Sequence, residues 1–190
     1  MSLEDYVNVI RDLIREQNIE HPVLVGHSFG GRMALKLALM YPEIPSHLVL
    51  IDASGIASKN NAGISFWKRF TKIGKRLFEL PVLKIFFKPA RKFFYFYIVR
   101  QRDYYLAGEK LQKTFLKVHA VYLDNDLPQI QTPTLIIWGA LDKVTPLWKG
   151  QKMAELLPNS QLQVINDRGH NLPLGNPEIV AQMIYNYLRD

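Results

Sequence analysis

Three segments of the chain, VLVG at 23–26, HLVLID at 47–52 and TLIIWG at 134–139, are apolar along nearly their whole length. A strand with one wet face alternates apolar and polar residues, so these runs predict strands buried on both faces. QLQVIN at 161–166 reads as a fourth. The segments around them carry helical periodicity. Ser2 can cap a helix over 3–16 whose Leu3, Tyr6, Val7, Ile10, Leu13 and Ile14 share a face. A helix from about Phe29 to Met40 stops before Tyr41-Pro42, because proline disfavours helix in the residue before it. Thr145-Pro146 opens another, with Thr145 as its cap. Asn176-Pro177 opens the last, with Ile179, Val180, Met183, Ile184, Tyr187 and Leu188 facing inward. Buried strands alternating with amphipathic helices predict an α/β fold, a mostly parallel sheet with helices on both faces.

That rhythm fails between 56 and 128, where the chain is aromatic, basic and helical in pattern, with Pro81 and Pro89 as breaks and no clear strand. The expected organisation is a core in two parts, 1–55 and 129–190, with a helical insertion at 56–128. The net charge of +7 belongs to this insertion. Residues 58–102 hold twelve Lys and Arg against Glu79 alone, so the segment is +11 and the rest of the chain −4. Phe66, Trp67, Phe70, Ile73, Leu77 and Phe78 form one helical face there, with Lys68, Arg69, Lys72, Lys75 and Arg76 around the rest. The plain expectation is a cap helix with a solvated basic back. The sharper one is weak contact with anionic lipid. The charge is confined and no binding motif accompanies it, which argues against a nucleic-acid partner.

A length of 190 residues suits one domain. The chain has no cysteine, hence no disulfide, thiol nucleophile or Cys-bound metal. The start, MSLEDYVN, lacks a basic n-region, and the longest apolar run, FFYFYIV at 93–99, is too short to span a bilayer. A cytoplasmic location is expected on these grounds.

Chemistry is concentrated where VLVG meets the helix at Phe29, in the sequence LVGHSFGGRMAL. A serine hydroxyl is a poor nucleophile until a base and a third, orienting group stand beside it. A sharp strand-to-helix turn would expose Ser28 at the carboxyl edge of the sheet. Gly26 and Gly30 sit where such a crowded turn needs glycine, giving G-x-S-x-G. The helix starting at Phe29 aims backbone N–H groups at developing negative charge. His21 and His47 precede strands, at the wrong edge, His119 lies in the insertion, and His27 adjoins Ser28 and should point away from it. His170, in the loop NDRGHNLP after QLQVIN, stands at the carboxyl edge. Asp142 follows TLIIWG there and can orient it, with Asp52 at the end of HLVLID as a fallback acid. Asp167 is so near His170 in sequence that it should shape their loop. The histidines and acids show no metal-ligand spacing, and no glycine run has phosphate-cradling form, so neither metal nor cofactor is expected.

The order Ser28, Asp142, His170 is that of an α/β-hydrolase. GHSFGG, then PTLIIWGALDKVTP, then a Gly-His loop before a final helix resemble that superfamily, and most of all its cap-bearing serine hydrolases: esterases, lipases and carbon–carbon bond hydrolases. The resemblance covers 1–55 and 129–190 and implies the α/β-hydrolase fold with a helical cap at 56–128. It implies that Ser28 attacks an acyl carbonyl, His170 shuttles the proton, Asp142 stabilises the imidazolium, and an acyl-enzyme is hydrolysed, all on a small-molecule acyl substrate. The Phe29 N–H would be half of an oxyanion hole. The family's earlier strands, and the His-Gly-type loop supplying the second N–H, have no counterpart here. Residues 22–26 would then be a bare sheet edge. The expectation is an N-terminally truncated chain of weak or no activity, whose sheet is completed by a missing segment or a partner chain. The alternative is a non-catalytic module whose basic aromatic cap binds a membrane or partner.

Overall fold

The computed structural model describes residues 2–57, 114, 117, 118 and 120–189. Residues up to Ala57 and from Ala120 onward form one compact unit, and Ser58–His119 group separately. The expected cap helices and their basic face therefore lie outside the described residues.

In the first unit, helix α1 (Leu3–Glu16) leads to β1 (Val23–His27), α2 (Phe29–Met40) and β2 (His47–Ile51). After a short 3-10 turn at Leu127–Gln129 come β3 (Thr134–Gly139), α3 (Leu147–Leu156), β4 (Ser160–Ile165), the single turn α4 (Leu172–Gly175) and α5 (Pro177–Arg189). The four strands are parallel in the order β1-β2-β3-β4. Each lies within a residue or so of its predicted span.

The unbroken apolar runs have the expected cause. Successive side chains point to opposite faces of a strand. Leu48, Leu50, Ile136 and Trp138 enter one core cluster with Leu35 and Ala38 of α2 and Met153 of α3. Val49, Ile51, Leu135 and Ile137 face the other way, against Val180, Met183, Ile184 and Tyr187 of α5. Leu123 and Leu127, inside the span assigned to the insertion, pack in the first cluster. A third cluster joins Val7 and Ile14 of α1 to Leu37 of α2. Helix α1 starts in a capping box, the Ser2 hydroxyl accepting from the Asp5 N–H and the Asp5 carboxylate from the Ser2 N–H at 2.6 Å.

Three side chains depart from their predicted faces. Leu13, Ile179 and Leu188 are exposed, because each apolar stripe is wider than the surface its helix covers. Strand β1 ends the sheet among the described residues, and its Val25 is 55% exposed. No described helix is long and apolar enough to cross a membrane.

Candidate active site

Parallel pairing puts the carboxyl ends of all four strands on one edge. His27 pairs with Ile51, Ile51 with Ile137, and Gly139 with Ile165. Ser28, Asp52 and the loops holding Asp142 and His170 therefore leave the sheet side by side.

The turn at Ser28 is sharp. Its φ is +52° and ψ −112°, outside the regions ordinary L-residues occupy. Backbone bonds on both sides hold it there: its N–H donates to Ile51 O at 3.0 Å and its carbonyl accepts from Ser54 N–H at 2.9 Å. Such a conformation costs about 1–3 kcal/mol and persists only when its surroundings over-determine it. Gly26 is required as expected, since a Cβ would lie 2.6 Å from the Gly30 backbone. Gly30 is not, because a Cβ there meets no described atom within 4 Å. The second crowded glycine is Gly31, where a Cβ would come 2.5 Å from that of Ala53. The close contact comes from the chain after β2, which no local motif reveals.

The structure brings Ser28, His170 and Asp142 together. His170 Nε2 lies 3.0 Å from Ser28 Oγ and its Nδ1 2.7 Å from Asp142 Oδ2. A carboxylate accepts only, so Nδ1 carries the proton and Nε2 is left to accept from the serine hydroxyl. Asp142 is buried, and its other oxygen accepts from the N–H groups of Val144 at 2.7 Å and Thr145 at 2.9 Å. Burial by itself raises its pKa. The bonds from His170, Thr145 and Val144 outweigh that and hold the carboxyl below its ordinary range.

Thr145 does not cap helix α3 as the sequence suggests. The helix begins at Leu147 with no side-chain cap. The threonine hydroxyl instead lies 2.7 Å from Asp142 Oδ2, 3.1 Å from His170 Nδ1 and 3.0 Å from the Asp52 carbonyl. It has one proton to give, and the ionised acceptor at the shortest distance makes the stronger bond.

The two loops are held together through their backbones. Leu141 N–H donates to Arg168 O at 2.8 Å, and a Cβ on Gly139 would fall 2.5 Å from that oxygen. The core residue Trp138 adds its indole N–H to Thr145 O at 2.8 Å. Gly139 and Trp138 were thus missed as site-building residues, visible in sequence only as the end of a strand.

The remaining candidates divide. Phe29 is the first residue of α2, and its ring stands edge-on to Tyr6 at 6.0 Å. Asp52 does not reach His170 as the fallback acid, because its Oδ1 accepts from Gly139 N–H at 2.9 Å. Asp167 is at the exposed end of the His170 loop, its carbonyl accepting from Arg168. His47 packs edge-on against Tyr187. His21 lies just before β1. His119 lies outside the described residues. His27 serves the site: its Nε2–H donates to His170 O at 2.7 Å, and the two rings lie 4.9 Å apart. His27, Asp52 and His170 also bring one donor atom each within 4.8 Å of one another, a grouping invisible in their sequence spacing. Both ring nitrogens of His170 are engaged by Asp142 and Ser28, so the group reads as the electrostatic surroundings of an imidazole.

Comparison with known proteins agrees with the geometry. The model of the alpha/beta hydrolase family matches residues 1–183. The chain is 25% identical to the uncharacterized hydrolase YugF of Bacillus subtilis, over 98% of itself and 72% of that protein. It is 26% identical to a 2-hydroxymuconate semialdehyde hydrolase of Pseudomonas putida, over 90% of itself and 64% of that protein. A solved hydrolase from Pseudomonas aeruginosa PA01 superposes with a TM-score of 0.69 at 21% identity, over 100% of this chain and 72% of that one. The chain thus spans 64–72% of the lengths of these relatives. With the elbow, the parallel sheet and the family match in agreement, the chain belongs to the alpha/beta hydrolase family.

Proposed function

We propose that the chain is a serine hydrolase acting on an ester, thioester or related carbonyl substrate. The single observation that carries this reading is the continuous hydrogen-bond path from Ser28 through His170 to Asp142, with Ser28 on a backbone turn no L-residue adopts without compensation. Ser28 Oγ attacks the carbonyl carbon while its proton passes to His170 Nε2. The imidazolium so formed is stabilised by Asp142 at Nδ1, and the oxyanion lies near the Phe29 N–H at the positive end of α2. His170 returns the proton to the leaving group as the tetrahedral intermediate collapses to the acyl-enzyme. Water, deprotonated by the same nitrogen, then releases the acid. The relative named as a 2-hydroxymuconate semialdehyde hydrolase supports a carbonyl substrate of this kind.

A fluorophosphonate probe tests the nucleophile without requiring turnover. Labelling of the chain, absent in Ser28→Ala, together with release of p-nitrophenol from short-chain esters, is the expected result. A folded chain that stays unlabelled and hydrolyses no ester would defeat the proposal.

A further inference from the structure

Asp52 is the acidic group that the Ser28–His170–Asp142 path leaves unused. It ends β2, between Ser28 on one side and the acid loop on the other. The residue is fully buried. One carboxylate oxygen accepts from Gly139 N–H, while Oδ2 has no hydrogen-bond partner. A carboxylate oxygen of Asp52 and ring nitrogens of His27 and His170 lie within 4.8 Å of one another. The backbone at Asp52 is left-handed, with φ +45°. A buried, half-satisfied carboxylate on a strained backbone position is an expensive arrangement for a group that only latches a loop.

Its ionisation state suits another task. Burial, the strongest influence, raises its carboxyl, the Gly139 N–H opposes, the Asp142 charge raises it further, and His170 opposes again. The result is a pKa pushed up to about 6, so the group is mostly ionised at neutral pH. Among the described residues, the other titratable groups around it are Asp142, His170 and His27. The bond from His27 Nε2–H to the His170 carbonyl fixes the orientation of that ring beside Asp52.

We infer that Asp52 is a positioning residue whose buried negative charge stabilises the imidazolium of His170 alongside Asp142. The inference rests on His170 acting as the base toward Ser28. Proton transfer from Ser28 creates a positive charge on that ring. A negative charge within 4.8 Å, screened far less in the protein than in bulk water, favours that state without reorganising when it forms.

Asp52→Asn isolates the charge. Asparagine keeps the shape, keeps an oxygen for Gly139 N–H and tolerates positive φ. Three measurements on the whole chain decide the matter: the His170 ring titration by NMR on histidine-labelled protein, the rate of fluorophosphonate labelling against pH, and thermal unfolding. In the variant the ring titration midpoint moves to lower pH by roughly one unit, from a unit charge at this distance in an intermediate dielectric. Labelling at pH 7 slows by about tenfold, and the unfolding temperature holds or rises. Asp52→Ser also removes the charge and must show the same shift, which covers a failure of the first variant to fold. An unmoved midpoint in a folded variant overturns the inference, as does slower labelling accompanied only by a lower unfolding temperature. If the wild type is never labelled while the midpoint still moves, the coupling of Asp52 to His170 stands and the nucleophile reading fails on its own.

Discussion

The Thr145 hydroxyl donates to Asp142 Oδ2 at 2.7 Å, three residues along the same loop and 3.1 Å from His170 Nδ1. With the N–H groups of Val144 and Thr145, it leaves the carboxylate little freedom except toward Nδ1. Replacing the hydroxyl by a methyl removes one charge-assisted bond while keeping volume. Thr145→Val should lower the labelling rate of Ser28 by about tenfold and stability by about 1–2 kcal/mol, and Thr145→Ser should restore most of both. Labelling kinetics and urea unfolding on the same preparations check this.

The glycines of the elbow should separate sharply. Gly26→Ala drives a methyl into the Gly30 backbone, and Gly31→Ala drives one into Ala53. Each should cost about 1–3 kcal/mol or more and reduce soluble yield. Gly30→Ala meets nothing within 4 Å and lies inside α2, so it should be neutral or stabilising by up to about 1 kcal/mol. Urea midpoints of the three variants give the order directly.

Ser28 stores strain that glycine would relieve. Ser28→Gly keeps both backbone bonds to Ile51 and Ser54 but accepts φ +52° without a Cβ clash. It should unfold at a higher temperature than Ser28→Ala, by roughly 1 kcal/mol in stability, while neither variant is labelled. Calorimetry of the pair is decisive because both lack the hydroxyl and differ only at Cβ.

The two buried acids should push stability in opposite directions with pH. Asp142 is held below its ordinary value, so its contribution is present above the unfolded pKa near 3.8 and is lost as pH falls through the lower folded one. Asp142→Asn should therefore lose most stability relative to wild type at neutral pH, with the gap closing in acid. Asp52 is raised from 3.8 to about 6, so its ionisation opposes folding as pH rises across that window. Asp52→Asn should be no more stable than wild type below pH about 4. It should gain up to about 3 kcal/mol above pH about 6, from roughly two pKa units at 1.36 kcal/mol each. Urea unfolding from pH 3.5 to 7.5 reads both trends.

Much of the fold was legible because burial leaves its mark on each strand separately. HLVLID and TLIIWG are apolar on both faces because α2 and α3 cover one side of the sheet and α5 the other. Ser28, Asp142 and His170 were legible for a related reason. A parallel sheet exposes its chemistry at strand ends, and each of these residues directly follows a strand or stands in the loop after one. What escaped was contact between segments distant in the chain. The clash that makes Gly31 indispensable comes from Ala53. Thr145 has the signature of a helix cap, yet a carboxylate and an imidazole claim its hydroxyl.

By itself, then, the sequence determined the class of fold, the elbow and the three side chains worth bringing together, since periodicity and strand-end position are properties of local segments. Only the tertiary structure decided how the preferred acid, Asp142, is held at the imidazole and how the fallback, Asp52, is tied elsewhere. Asp52 directly follows β2 and Asp142 stands in the loop after β3, at the same edge of the sheet. The backbone bond from Leu141 to Arg168 joins the two loops so that Asp142 Oδ2 meets His170 Nδ1, while the Gly139 N–H holds Asp52 back. That arrangement depends on how two loops pack side by side, a distance that no spacing along the chain encodes.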